Sequence, residues 1–163
     1  MNYFELFNIP VSLKVDKSSL SKKYIELQKK YHPDFYTQST EDEQLEALDK
    51  SSIINKALKT FRNEDDTIKY VLEQKGLLVE EEKYALPPDF LMEMMELNEA
   101  VMEEEPAVII QKIAAVEEEI YAAVKPIIEH YKEGVTTNEE LLQVKEYYYK
   151  KKYVQRILDR IDG

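Results

Sequence analysis

Apolar residues recur at three- and four-residue spacing along almost the whole chain, and no segment alternates apolar and polar residues. The first spacing places apolar side chains on one face of a helix, whereas alternation would indicate a half-buried strand. Only three glycines interrupt the chain, at Gly76, Gly134 and Gly163. The sequence therefore predicts an all-α protein, and its 163 residues are enough for one or two small domains.

The first 76 residues predict a short aromatic helix at Tyr3–Phe7, an antiparallel pair of longer helices and a short closing helix. Asp16 can cap the first long helix, which is expected to run to about Tyr31. Thr40 and Glu43 form a capping-box pattern at the start of the second long helix. The residues expected to face the core are Leu20, Tyr24, Leu27 and Tyr31 in the first long helix and Leu45, Leu48, Ile54, Leu58 and Phe61 in the second.

The closing helix has a recognisable signal at each end. Asn63 and Asp66 indicate a new helix start, and Gly76 can supply the left-handed residue that ends a helix. Residues 77–88 then read as a linker that ends in two prolines. We therefore expect a first module at 1–76.

Residues 89–163 predict a second module with three longer helices. The first of these covers 89–105. The second begins at Pro106 and is expected to reach about Lys132, although Pro126 should bend or break it. The residues of this second helix at helical spacing are Ile109, Ile113, Val116, Ile120, Val124, Ile127 and Tyr131.

The last helix follows a short connection. Gly134 is expected to end the preceding helix, and Thr137 with Glu140 forms another capping-box pattern. The helix that starts there should run to about Ile161. Three long helices with short connections predict an antiparallel three-helix bundle.

The composition excludes several kinds of site. Three separated glycines leave no glycine-rich loop for a phosphate, and the absence of cysteine removes disulfides and cysteine-ligated metal centres. No apolar run approaches the roughly 18 residues that a membrane span needs. The N-terminus lacks the basic and apolar regions of a secretion signal. We therefore expect a cytoplasmic, bacterial protein with no membrane contact.

The charge is concentrated in one segment. Residues 77–119 hold thirteen acids and two lysines, so they account for the whole net charge of −11. The rest of the chain is balanced, with basic clusters at Lys22–Lys30 and Lys150–Lys152. Nucleic acid is an unsuitable partner for so acidic a chain. A surface of this kind favours two different protein partners.

The tripeptide His32-Pro33-Asp34 follows the basic helix. Proline is a sensible stop for that helix, since it disfavours the helical conformation of the residue before it. One interpretation is that His32 and Asp34 only cap neighbouring helices. Another is an acid/base pair or a metal site, but the second histidine of the chain, His130, lies in the other module and no further ligand is near.

A short aromatic helix, a basic helix, His-Pro-Asp and a long antiparallel helix resemble a J-domain. The resemblance implies binding to a DnaK-type (HscA-like) ATPase chaperone, whose ATP hydrolysis the J-domain promotes. The chain itself then needs no active site, cofactor or metal. A rigid loop can present the Asp34 carboxylate to an arginine, and lysines can steer the encounter. The chaperone-binding residues implied are His32, Pro33, Asp34, Lys22, Lys23, Lys29 and Lys30.

The first helix of the second module is rich in methionine. A complete core stripe is available in Phe90, Met94, Leu97 and Val101. Further apolar side chains lie on another side of the helix, beside glutamates. They can be ordinary bundle packing with solvated acids, or an adaptable binding patch with an acidic rim. The residues of this second side are Leu91, Met92, Met95, Glu96, Glu99 and Glu103.

The segment FLMEMMELNEA resembles the FLMExMELxE signature of HscB-type co-chaperones of iron-sulfur cluster assembly. NYFELFNIP and IINKALKTFRNEDDTIKYVL are also similar to segments of that family, so the resemblance covers roughly 1–105. It implies that the second module binds an iron-sulfur cluster scaffold protein (IscU-like). The scaffold-binding residues implied are Leu91, Met92, Met95, Glu96, Glu99 and Glu103.

Two parts of the chain depart from that family or leave its pattern open. Residues 63–66 read NEDD where the family has a proline and basic residues. The family also contributes an aromatic residue from its last helix, and Tyr147, Tyr148 and Tyr149 occupy that region without a choice among them. Two other functions stay open, namely a J-domain protein with a different client and a helical adaptor whose His-Pro-Asp is incidental.

Overall fold

A computed structural model describes residues 1–162, and all regular structure in that range is helical. The predicted all-α fold is confirmed. The helices are α1 Tyr3–Phe7, α2 Lys17–Tyr31, α3 Glu41–Arg62, α4 Glu64–Gln74, α5 Pro88–Glu103, α6 Pro106–Ala122, α7 Lys125–Glu129 and α8 Asn138–Asp162, with a 3₁₀ turn at Pro33–Tyr36. None of these helices is long and apolar enough to cross a membrane.

The chain divides into two compact units. The first is Met1–Val71 and the second starts at Leu72, so the division falls inside α4. The module limits expected from the sequence, at 1–76, 77–88 and 89–163, stay predictions. Each unit has its own buried core.

An aromatic cluster fixes α1 in the first unit. Phe4, Phe7 and Phe61 are buried, and the Phe4 and Phe61 rings lie 4.9 Å apart. Tyr3 stacks on Tyr70 at 4.5 Å, and the Tyr70 hydroxyl accepts a hydrogen bond from the Tyr3 backbone N–H at 2.8 Å. Aromatic pairs of this kind add to the free energy gained by burial alone.

The long helices α2 and α3 pack antiparallel. The Lys17 ammonium at the start of α2 donates to the Arg62 carbonyl at the end of α3, over 3.1 Å. Further along α2, the Tyr24 hydroxyl donates to the Asn55 side chain at 2.9 Å. In the predicted core stripe of α2, Leu20 is buried, while the three residues that follow it are half-buried, namely Tyr24, Leu27 and Tyr31.

The predicted core of α3 is partly wrong. Ile54, Leu58 and Phe61 are buried as expected, but Leu45 and Leu48 are 59% and 54% exposed. The inward face of the first half of α3 is formed instead by three buried residues at helical spacing, Ala47, Ser51 and Ile54. Leu45 and Leu48 lie off this face of the helix, so they are left on the surface.

The predicted starts of α2, α3 and α4 are confirmed by side-chain caps. Asp16 accepts from the Ser19 N–H at 3.1 Å, and Thr40 accepts from the Glu43 N–H at 3.2 Å. At the start of α4, the Asn63 side chain accepts from the Asp66 N–H at 2.9 Å. An asparagine cap thus starts α4 in the segment where the family has a proline and basic residues.

The predicted end of α4 is also confirmed. Gly76 has a positive φ of 71°, and its N–H donates to the Glu73 carbonyl at 3.0 Å. The Leu77 N–H donates to the Leu72 carbonyl at 2.9 Å. This pair of bonds is a Schellman motif, and glycine is suited to its left-handed position.

The second unit is an up-down-up bundle of α5, α6 and α8. Phe90 contacts Tyr153 edge-on at 6.3 Å, and Arg160 donates to Asn98 at 3.0 Å, so α5 and α8 run parallel. The buried side chains are Phe90, Met94 and Leu97 from α5, Ile109, Ile113, Val116 and Ile120 from α6, and Leu141, Val144, Tyr147, Tyr148, Val154 and Ile157 from α8.

The second bundle helix ends earlier than expected. Regular α6 stops at Ala122, because the ring of Pro126 would clash with the carbonyl four residues before it. A short α7 follows and ends at Glu129, so Gly134 is not the residue that terminates it. The break shifts the register, and Ile128 is buried in place of Ile127.

The start of α8 has the predicted capping box in full. The Thr137 hydroxyl accepts from the Glu140 N–H at 3.1 Å, and the Glu140 carboxylate accepts from the Thr137 N–H at 3.0 Å. Two backbone donors at the helix start are therefore satisfied reciprocally.

Candidate functional site

The His-Pro-Asp loop joins α2 to the 3₁₀ turn. His32 ends α2, with its N–H donating to the Gln28 carbonyl at 3.0 Å, and Pro33 occupies the first position of the turn. The His32 Nδ1 accepts from the Asp34 N–H at 3.2 Å. His32 is thus a capping residue, whereas the Asp34 side chain is 86% exposed.

Two further bonds hold the shape of this loop. The Tyr36 hydroxyl donates to the Lys30 carbonyl at 2.6 Å, and the Phe35 N–H donates to the His32 carbonyl at 3.0 Å. Pro33 also fixes its own φ. The Asp34 carboxylate is therefore presented to solvent by a braced backbone, which loses little conformational entropy when a partner binds.

The predicted chaperone-binding lysines lie on the helix before this loop. Lys22, Lys29 and Lys30 are exposed. Lys23 is half-buried, and its ammonium lies 3.9 Å from the Glu26 carboxylate. Exposed ammonium groups add little to stability but can attract an acidic surface over several ångströms.

The alternative of a metal site has no support in the described range. Within residues 1–162, no three histidine, aspartate or glutamate side chains approach closely enough to hold a metal ion. His130 lies in the second unit, at the end of α7.

The methionine-rich helix α5 has two distinct sides. Phe90, Met94 and Leu97 are buried, and Met92 and Met95 are 62% and 58% exposed. The side predicted for scaffold binding is therefore on the surface, and it is not a second core stripe. Leu91 on this side is half-buried, and the three acids beside it are exposed, namely Glu96, Glu99 and Glu103.

Leu91 lines a cavity of about 410 Å³ beside α8. Two walls of this cavity come from α8 and from the segment before α5. We call it the α8 pocket. It is lined by Glu82, Lys83, Tyr84, Ala85, Leu86, Leu91, Tyr149, Lys152, Tyr153 and Arg156.

The segment before α5 is anchored to α8 rather than free. The Glu82 carboxylate lies 2.7 Å from the Lys145 ammonium, and both side chains are largely buried. Tyr84 stacks on Tyr149 with 4.6 Å between ring centres and 6° between planes. The hydrogen bond from Lys145 lowers the pKa of Glu82, and burial, with the Glu82 charge, raises the pKa of Tyr149 to about 12.

The three consecutive tyrosines of α8 have different surroundings. Tyr147 and Tyr148 are buried, while Tyr149 is half-buried in the α8 pocket. Tyr153 lies in the same pocket beside Phe90, and the sequence did not predict it as a site residue. A helical repeat of polar and aromatic residues on α8 was the available signal, at Lys145, Tyr149, Lys152 and Arg156.

The architecture defines the class of protein. The antiparallel pair α2–α3 joined through His-Pro-Asp is the arrangement of a J-domain, and the three-helix bundle is a second module. The chain is a J-domain protein with a helical C-terminal bundle.

Comparison with known proteins finds sequence similarity to HscB co-chaperones. Residues 86–162 match the family described as HSCB C-terminal oligomerisation domain. The co-chaperone protein HscB homolog of Vibrio vulnificus is 40% identical over 104 residues, which are 63% of this chain and 61% of that protein. The homolog from Colwellia psychrerythraea is 43% identical over 100 residues, 61% of this chain and 57% of that protein. These alignments thus span about three-fifths of the curated relatives.

Two solved structures match almost the whole chain. Chaperone HscB from Vibrio cholerae has a TM-score of 0.75 at 26% identity, over 99% of this chain and 96% of that one. Human co-chaperone protein HscB has a TM-score of 0.83 at 28% identity, over 99% of this chain and 81% of that one. The chain is therefore similar to HscB co-chaperones in sequence over about three-fifths of its length and in fold over almost all of it.

Replacing Glu82 with Gln is expected to destabilise the second unit by about 1–3 kcal/mol at pH 7, because the Lys145 ammonium loses its anionic partner. The folded pKa of Glu82 lies below its ordinary value of about 4.3, so the ionised carboxylate stabilises the fold. That contribution is complete above the ordinary pKa and is lost as the pH falls through the lower folded pKa. Urea unfolding should therefore show the difference from wild type shrinking on acidification.

Glu80→Gln is the matched control, since Glu80 is exposed in the same segment. It should change the free energy of unfolding little at any pH. A Glu82→Gln effect that stays constant from neutral to acidic pH would contradict the assigned ion pair.

Proposed function

We propose that this chain is a non-enzymatic co-chaperone that brings an iron-sulfur cluster scaffold protein to a DnaK-type ATPase chaperone. The observation that carries the proposal is that each of the two family motifs presents some of its residues to solvent. Asp34 is 86% exposed on a braced loop, and Met92 and Met95 are exposed on a helix whose other side is buried. The names of the curated relatives, co-chaperone HscB homologs, support the same role.

The chaperone contact is proposed to centre on Asp34. A carboxylate can accept paired hydrogen bonds from an arginine of the partner, and such charge-assisted pairs are stronger than neutral hydrogen bonds. His32 and Pro33 would set the loop that presents the carboxylate. The steering residues proposed are Lys22, Lys23, Lys29 and Lys30. Catalysis of ATP hydrolysis belongs to the chaperone, so this chain needs no cofactor or metal.

The scaffold contact is proposed to centre on α5. Leu91, Met92 and Met95 would supply an apolar contact that methionine adapts to the shape of the partner. The acidic side chains beside them would select a basic rim on the scaffold, namely Glu96, Glu99 and Glu103. Joining two weak contacts in one chain raises the effective concentration of one partner near the other.

A cytoplasmic location completes the proposal, and the bacterial relatives support it. Nucleic acid has no place in it, because the chain carries a net charge of −11.

Asp34→Asn is expected to reduce stimulation of the chaperone ATPase about tenfold or more. The substitution keeps the shape and the backbone bond to His32 but removes the charge that a partner arginine would pair with. Steady-state ATP hydrolysis by the chaperone, titrated with wild-type or variant chain, measures the effect.

Asp49→Asn is the control for that assay, since it removes an equal charge from an exposed position on α3. It should stimulate like wild type. Equal stimulation by Asp34→Asn would contradict the proposed contact and favour a helical adaptor whose His-Pro-Asp is incidental.

The triple variant Leu91→Ala, Met92→Ala and Met95→Ala is expected to weaken binding to the iron-sulfur scaffold roughly a hundredfold. Truncating apolar groups at the centre of an interface removes their burial, and about 1.4 kcal/mol corresponds to a tenfold change in affinity. Calorimetric titration of the scaffold into each chain measures the dissociation constant, with helicity checked by circular dichroism.

Val108→Ala with Ile110→Ala is the matched control, because both residues are exposed apolar side chains on α6. This variant should bind like wild type. Equal binding by the triple variant would keep the scaffold as client and reject the α5 patch. No binding by wild type would mean a J-domain co-chaperone with a different client.

A further inference from the structure

Helix α5 lies between two flanks of opposite charge. On the α8 side, Leu91 shares the α8 pocket with Lys152 and Arg156, and Arg160 lies one turn further along, bonded to Asn98. The apolar side chains of α5 are therefore bordered by cations on this side.

The other flank of α5, toward α6, is acidic. A cavity of about 300 Å³ there is lined by Glu93 and Glu96 from α5 and by Glu119 from α6. The only cation in its lining, Lys112, lies 2.9 Å from the Glu104 carboxylate, so its charge is already compensated. A partner that covers α5 meets a positive border on one side and a negative border on the other.

Three cations line the α8 pocket, and two of them, Lys152 and Arg156, lie on α8. Lys152 and Arg156 are exposed, and neither lies within ion-pair distance of a carboxylate in residues 1–162. Neighbouring lysines of α8 differ, since Lys145 pairs with Glu82 at 2.7 Å and Lys150 with Glu146 at 3.4 Å. The α8 pocket therefore has two cations on α8 that no carboxylate of residues 1–162 neutralises, in a chain whose net charge is −11.

The rest of the pocket suits a short acidic side chain. Tyr84, Tyr149 and Tyr153 supply aromatic walls, and Leu91 supplies an apolar edge. The Tyr84–Tyr149 stack and the Glu82–Lys145 ion pair hold the segment before α5 in place, so the wall is preformed. Walls that exclude water strengthen the attraction between a carboxylate and nearby cations.

We propose that the α8 pocket is a second subsite of the client-binding face, in which Lys152 and Arg156 bind an aspartate or glutamate side chain of the same partner that α5 binds. This inference rests on the proposed scaffold contact. The partner surface would be apolar at its centre, acidic where it meets α8 and basic where it meets Glu96, Glu99 and Glu103. Charge on both borders would fix the direction in which the client lies across α5, because a reversed client would place like charges together on both sides.

The first test is charge reversal in the pocket, by Lys152→Glu with Arg156→Glu. Titration of the iron-sulfur scaffold should show binding weakened about tenfold or more, since a partner carboxylate would face two new carboxylates. Lys125→Glu with Lys132→Glu is the matched control, because both lysines are exposed in the same unit and net charge changes equally. The control should bind within about twofold of wild type.

The neutral variant Lys152→Gln with Arg156→Gln separates a local contact from general repulsion. It should also weaken binding, and the remaining affinity should depend less steeply on salt than that of wild type. Binding by both pocket variants that equals the control would overturn the subsite and leave the α5 contact standing. Loss of binding by wild type itself would overturn the proposed function, and this subsite with it.

Zero-length carbodiimide coupling provides an independent readout. In the complex it should join the Lys152 ammonium to an aspartate or glutamate of the scaffold, detected by mass spectrometry, and it should not join Lys125. A bound scaffold that gives no Lys152 product, while other lysines of the complex couple, would overturn the assignment.

Discussion

The rotation of α5 about its own axis determines which of its side chains are exposed on the bundle surface. Phe90, Met94 and Leu97 are drawn into the core, and burying such side chains is worth roughly 1.5–3 kcal/mol each. With that side fixed, Met92 and Met95 must point outward, since they lie on the other side of the same helix. The exposed apolar side of α5 is thus a consequence of its buried side. Substitutions in the core would change which side chains of α5 are exposed by turning the helix.

The exposure of Asp34 in the J-domain loop has a different physical cause from the exposure of Met92 and Met95. The display of Asp34 depends on short-range restraint by Pro33, by the His32 side chain and by the bond from Tyr36 to the Lys30 carbonyl. A preorganised carboxylate contributes to binding mainly by lowering the ordering cost of association. Local sequence encodes the loop, whereas the proposed client face depends on packing among three helices.

Local sequence patterns predicted much of this structure, but they did not predict contacts between residues that are far apart in the sequence. The caps at Asp16, Asn63 and Thr137 were predictable because a cap involves residues three positions apart. The exposure of Leu45 and Leu48 was not, because it depends on which face of α3 the neighbouring helix covers. The sequence of residues 77–88 indicates a linker, because no local pattern near Glu82 indicates its ion pair with Lys145, 63 residues away.

The same reasoning explains what was found at the site. The sequence of α5 left Met92 and Met95 open between bundle packing and a surface patch, because four other apolar residues already completed a core stripe. The α8 pocket could not be predicted from the sequence, because Leu91, Tyr84 and Arg156 come from three separate segments. Sites assembled from distant segments need the tertiary fold before their chemistry is visible.

The central claim is that one chain holds chaperone and scaffold at the same time. Sedimentation velocity on an equimolar mixture of the chain, a DnaK-type chaperone with ATP and the iron-sulfur scaffold tests it most directly. The account predicts a ternary species heavier than either binary complex, formed only when all three proteins are present. Two binary complexes that exclude each other would contradict it, because the partners would then be competing for one surface.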